Sequence, residues 1–186
     1  MTLGLVVIDV QNEYFAPEGK RVVPDGEQGL ANILRLLEAA RTKSLPVYHV
    51  VHESLDAGAT AFRSGTYGAE IHPSIQVLPG EYRILKHFPG SFTQTALEAY
   101  LRKEGVDTLI ICGFMAQMCC DTTTRQARER GFNVWYVADG TGARDLQVNG
   151  EVVPHEAIHK ATLATMAQMF QARVMSTDQV VAELGA

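Results

Sequence analysis

The chain opens on an apolar run, residues 3–10, whose one charged member is Asp9. Such a run has no polar face to turn to water, so it predicts a strand buried on both sides, with a carboxylate at its end. Pro24-Asp25-Gly26-Glu27-Gln28 then opens a helix, with Asp25 as N-cap and Gln28 three residues on. Leu30, Ile33, Leu34 and Leu37 follow at helical spacing, and Leu45-Pro46 ends the element. Residues 47–51 form a second apolar strand. Residues 53–80 hold four Gly, three Ser and two Pro with no clear period, which predicts a long loop partly ordered by short helices. A third strand is expected over 82–86. A helix over 95–103 follows, with a Thr95/Glu98 capping box and Gly105 as its stop. Strand 108–112, a helix over 117–130 closed by Gly131, strand 133–138 and a second loop over 139–150 come next. Helix 156–170 carries Ile158, Leu163, Met166 and Phe170 on or near one face, and strand 173–176 with helix 177–184 closes the chain.

Strands alternating with helices predict an α/β fold, a parallel sheet covered on both faces with right-handed crossovers. Ligands of such sheets bind at the carboxyl ends of the strands. Three strands end in residues with chemistry to offer: Asp9, Lys86 and, just past Gly113, Cys119. All three are therefore expected along one edge of the sheet.

Composition narrows the partners. At 186 residues and 46% hydrophobic content the chain suits one well-filled domain over 1–186. Its 16 basic and 21 acidic residues give a net charge of −5 with no basic run, which argues against nucleic acid. No apolar stretch approaches the roughly 20 residues that cross a bilayer, so no membrane partner is expected. The N-terminal run is short for a secretory signal and lacks a basic leader. Three cysteines, an odd number, then point to free thiols in a reducing cytoplasm.

Cys119 lies where strand gives way to helix, and a thiol at a positive helix end is favoured as thiolate, the form that attacks carbonyl carbon. The same placement suits an inert buried thiol, and its partners decide between the two. A carboxylate, an ammonium and a thiol on one edge suit nucleophilic catalysis. Unperturbed Asp and Cys differ by about 4.6 pKa units, roughly 6 kcal/mol against proton transfer. Burial raises Asp9 while Lys86 and the helix end lower Cys119, which closes the gap, and the three titrate as a coupled set.

Asp9 with Gln11 and Phe15, Lys86 followed by Ser91-Phe92, and the block from Gly113 to Ala127 that contains Cys119 resemble the isochorismatase-like cysteine hydrolases over nearly the whole chain. The resemblance implies a three-layer, six-stranded, mostly parallel sheet with helices on both faces. It also implies an Asp-Lys-Cys triad in which Asp9 is acid/base, Lys86 the electrostatic partner and Cys119 the nucleophile. It places a non-proline cis peptide at Phe114–Met115, with the Met115 and Cys119 N–H groups as the oxyanion hole, and implies a homo-oligomer, dimer or tetramer, paired through helices. The chain departs from the family pattern at Cys120, commonly Val, and at Ala116 and Gln117. The metal motif of the nicotinamidase branch is missing: His49 and His52, three apart on a strand, face opposite sides. His49, His52, His72, His87, His155 and His159 are instead assigned to packing, and neither metal nor cofactor is expected. Cys112 and Cys120 read as core residues.

The reaction expected is hydrolysis of a small-molecule amide or related C–N bond through a thioester. Gln11, Phe15, Phe62, Tyr67, Phe88 and Phe114 are the candidate substrate-binding residues, the aromatic ones read equally well as ordinary core. The alternatives are an isochorismatase-type vinyl ether hydrolase, whose members use no cysteine nucleophile, and a non-catalytic binding member of the fold.

Overall fold

The structure, a computed structural model, describes residues 1–56 and 58–185. The strands are β1 (Leu3–Ile8), β2 (Val47–His52), β3 (Tyr82–Lys86), β4 (Thr108–Phe114), β5 (Asn133–Gly142) and, after a short hairpin of β6 (Leu146–Val148) and β7 (Glu151–Val153), β8 (Arg173–Met175). Six of them form the central sheet in the order β3-β2-β1-β4-β5-β8, every neighbouring pair parallel. The helices are α1 (Gly26–Thr42), α2 (Leu97–Lys103), α3 (Asp121–Glu129), α4 (His155–Met169) and α5 (Thr177–Leu184). No helix among the described residues is long and apolar enough to cross a membrane.

The alternation of β1 explains the three layers. Leu5 and Val7 point to a core closed by α1 and α5, with Ile33, Leu36, Leu37 and Val180. Val6 and Ile8 point the other way, to Leu97 and Leu101 of α2, Ala127 of α3 and Met166 of α4. Both faces of β1 and β4 are buried, which is why their sequences carry no polar alternation.

Several local expectations are corrected. α2 starts at Leu97, and Thr95 Oγ1 donates to the Ser91 carbonyl at 2.5 Å instead of completing a box with Glu98. Glu98 is taken by Arg102 and Arg130. Asp25 holds the N-cap position of α1 without a side-chain cap bond. A capping box does form at α5, where Ser176 and Gln179 bond reciprocally. The second loop is shorter than expected, since β5 continues to Gly142 and a hairpin fills much of the remainder. Its turn, Asn149-Gly150, has φ of 52° and 82°, the two positive values a tight two-residue hairpin needs.

Candidate active site

The strand order runs outward in both directions from the β1–β4 pair, so the topological switch lies between them, where ligands of such sheets bind. Asp9 follows directly on β1 with φ +50°, its N–H donating to the Val50 carbonyl at 2.9 Å. Lys86 ends β3 and is paired in register with His52 at the end of β2. Two strand spacings, about 10 Å, separate β3 from β1, and the four-carbon stem of a lysine can span that gap. Its Nζ lies 2.8 Å from Asp9 Oδ2 and 3.4 Å from Cys119 Sγ, and donates to the Phe88 carbonyl at 3.1 Å.

Gly113 brings β4 close enough to complete the group. It faces Ile8 in register at φ +120°, and a Cβ there would collide with the Ile8 carbonyl. The Phe114–Met115 peptide is cis, as the resemblance implies. The chain then makes one π-helical turn, Ala116–Cys120, before α3. The Met115 carbonyl accepts from the Met118 and Cys120 N–H groups, at 3.1 and 3.2 Å, and the Ala116 carbonyl accepts from the Tyr136 hydroxyl at 3.0 Å. Single π turns recur at functional sites, and this one carries Cys119. The segment after Lys86 is tied to the same helix: the Ser91 N–H donates to Thr123 Oγ1 at 3.0 Å, the Phe92 N–H to Gln126 Oε1 at 3.2 Å, and Gln126 Nε2 to Thr93 Oγ1 at 2.8 Å. Lysine and thiol thus share one frame.

Asp9, Lys86 and Cys119 are all buried. Burial pushes the Cys119 thiol well above its ordinary range, the charge of Asp9 adds to that, and Lys86 offsets only part. The net effect on Cys119 is upward, against the expected lowering, because desolvation of the sulfur outweighs the one ammonium beside it. Burial also works against the charge of Lys86, but Asp9 and Cys119 together outweigh it and raise its pKa. Among the described residues neither carboxylate oxygen of Asp9 has an aligned hydrogen-bond donor, and Oδ2 is held by the ionic contact with Lys86. A buried anionic oxygen without a donor is costly unless a proton comes to it.

Of the three, Cys119 borders a pocket of about 650 Å³, lined also by Met115, Tyr14, His52, Phe62, His87 and Arg144, while Asp9 and Lys86 are buried outside its lining. Only Phe62 of the expected aromatic walls borders it. Phe15 packs edge-on to Phe114 at 5.7 Å and against His72 at 4.5 Å, and both phenylalanines belong to the core beneath α1. Tyr67 borders a separate depression with Glu13 and Lys20, and exposed Phe88 contributes its carbonyl to Lys86 while its ring faces outward. Gln11 is a brace: its Nε2 donates to the carbonyls of His52 and Ala69 at 2.8 and 2.6 Å, and its Oε1 accepts from the His52 N–H at 2.9 Å.

Several lining residues escape the sequence reading, Arg21 among them. Tyr14 is buried, and its pKa is raised by that burial and by Cys119 and Asp9. His52, assigned to packing, sits edge-on to Phe62 with its Nδ1 unpartnered, and burial, reinforced by Lys86, lowers its pKa. His87 and Arg144 are two more. A strand end three residues after His49 was a signal for His52; Arg144, inside a loop, had none. His49 is turned away, with Nε2 2.7 Å from Glu81. Among the described residues no three His, Cys, Asp or Glu side chains are grouped to hold a metal ion. All three cysteines are free and buried.

Comparison with known proteins places this geometry in context. The family model described as Isochorismatase domain matches residues 4–179. An uncharacterized isochorismatase family protein of Bacillus subtilis, YddQ, is 39% identical over 96% of this chain and 98% of its own. Nicotinamidase 3 of Arabidopsis thaliana is 30% identical over 88% of this chain and 80% of its own. Among solved structures, an isochorismatase from Pseudomonas putida superposes with a TM-score of 0.88 at 34% identity, over 95% of this chain and 89% of that one. The N-carbamoylsarcosine amidase of Thermoplasma acidophilum does so with 0.82 at 25% identity, over 96% and 98%.

Proposed function

The chain belongs to the isochorismatase family of hydrolases, and within it we propose that this protein hydrolyses a small-molecule amide or related C–N bond through a thioester on Cys119. The observation that carries the reading is the contact chain from Asp9 through Lys86 to Cys119, 2.8 and 3.4 Å, which reaches the pocket at Cys119. Relatives named for amide hydrolysis, a nicotinamidase and an N-carbamoylsarcosine amidase, support the class.

The thiol is the resting form, so attack on the carbonyl is coupled to proton loss. Asp9 is the base, its carboxylate, which has no aligned donor among the described residues, the place where the proton arrives. Lys86 stabilises the carboxylate before transfer and the developing thiolate during it. The N–H groups of Met115 and Cys119 hold the oxyanion. Asp9 then gives its proton to the departing amine, and afterwards takes one from the water that cleaves the thioester and returns it to the Cys119 sulfur as it leaves. No metal, cofactor, nucleic acid or membrane enters this scheme.

An ammonia-release screen over small primary amides, with Cys119→Ala as the blank, tests the proposal. Ammonia from at least one amide with the native protein, and none above background with the variant, is the expected result. Full turnover by Cys119→Ala, or pyruvate release from isochorismate with no amide accepted, would overturn it.

A further inference from the structure

Two arginines face the pocket, Arg21 at its mouth and half-buried Arg144 just past β5. Among the described residues neither makes a salt bridge or a side-chain hydrogen bond; Arg63 and Arg83 share that state but do not line this pocket, and Arg35, Arg41, Arg102, Arg125, Arg130 and Arg173 are each paired with a carboxylate. The charge of Arg144 acts on the buried hydroxyl of Tyr14, opposing part of the rise that burial imposes on it. The carboxylate nearest Arg144 in sequence, Asp145, accepts from the His155 N–H and contacts its ring, each at 2.8 Å, and feels the charge of Arg144 without forming a salt bridge to it.

The rest of the lining does not neutralise these two charges. Outside that lining, Lys86 and Asp9 cancel one another in their ion pair. Among the described lining residues the one carboxylate, Asp56, is exposed and accepts from the Gly58 N–H at 2.8 Å. A chain of net charge −5 thus turns two unpaired guanidinium groups toward one cavity. A guanidinium in a partly desolvated wall recognises a planar oxyanion by paired N–H bonds, and a pocket of about 650 Å³ admits a small molecule.

We infer that the substrate of this site carries a carboxylate, held by Arg144 and drawn in by Arg21, with its scissile carbonyl at Cys119. The inference rests on the amide-hydrolase reading for the chemistry at Cys119, but the anion site does not depend on it. The substrate class is therefore a small carboxylate-bearing amide.

Three amides of matched length separate charge from shape: succinamate, neutral butyramide and cationic β-alaninamide. Their kcat/KM values for ammonia release are measured with the native protein and with Arg144→Gln and Arg144→Glu. The expected result is at least a tenfold preference for succinamate over butyramide, reduced about tenfold by Arg144→Gln mainly through KM. Arg144→Glu is expected to move the preference toward β-alaninamide. A native preference near one, or for the cation, overturns the inference, as does a preference unchanged in both Arg144 variants. Calorimetric titration of Cys119→Ala with succinate reads the anion site without catalysis. Binding there that weakens at least tenfold when Arg144→Gln is added sustains the inference even if no amide is hydrolysed, in which case the amide reading alone falls. No binding of succinate, together with no hydrolysis of succinamate, overturns the inference.

Discussion

Cys119 and Asp9 are coupled in a way that a thiol-labelling experiment can separate from turnover. Asp9 raises the Cys119 pKa, so Asp9→Asn removes part of that elevation while also removing the base. The variant is expected to be alkylated by iodoacetamide faster at Cys119 than the native protein at pH 8, with its titration shifted downward, yet to lose about 100-fold or more in kcat. Slower alkylation in Asp9→Asn would show that the carboxylate does not act on the sulfur. Lys86 is the opposite case. Replacing it with Met strands a buried carboxylate, and breaking a buried pair from one side costs about 3–5 kcal/mol. Adding Asp9→Asn is expected to recover part of that loss, a coupling that urea denaturation of the two single variants and the double variant reads directly.

Elements deliver these residues, and their sequence signals were uneven. β1 and β4 were legible because burial on both faces removes polar alternation, leaving runs that no surface helix could carry. Their carboxyl ends then located Asp9 and the segment leading to Cys119. The hairpin of β6 and β7 was illegible as strand because it packs on little, with Leu146, Val148 and Val152 exposed, although Asn149-Gly150 was a turn signal in plain view. Pocket walls were hardest: Tyr14, Phe62 and Arg144 come from three separate segments, and nothing local in sequence states that they converge. Elements are also held by polar contacts remote from the site. Glu81 accepts from Arg41 of α1 and from the Leu78 N–H, and contacts His49 of β2. Burial opposes its charge, but these partners outweigh burial and bring its pKa down to about 2. A carboxyl lowered on folding adds stability above its unfolded value, near 4.3, and loses it as pH falls through the folded value. Glu81→Gln is therefore expected to be less stable than the native chain at pH 7, with the gap narrowing between pH 5 and pH 2. A gap in urea midpoint that stays constant over that range would contradict the assignment. At Gly113 the demand is steric: Gly113→Ala meets the Ile8 carbonyl at a φ that L residues rarely adopt, and a loss of about 2 kcal/mol or more in urea denaturation is expected.

At the scale of the molecule, a parallel sheet with one switch point gathers residues from positions 9, 86 and 119 onto a single edge. That convergence could be anticipated from the strand ends alone, whereas the upward push on the Cys119 thiol could not, since it arises from burial in the folded chain. The molecule's charge is arranged as oddly as its thiol: acidic overall, basic at the pocket. Salt screens exposed charges over about 8 Å at physiological strength, so added NaCl is expected to lower kcat/KM for succinamate more than for butyramide. Equal salt effects on the two would place the arginines outside the recognition step. The central claim is that the buried thiol of Cys119 carries the acyl group, and intact-mass spectrometry of enzyme quenched in acid during turnover of an accepted amide tests it most directly. The predicted result is a single added acyl mass that maps to the Cys119 peptide and decays with hydrolysis. Turnover with no adduct, or with an adduct on Cys112 or Cys120 instead, would contradict it.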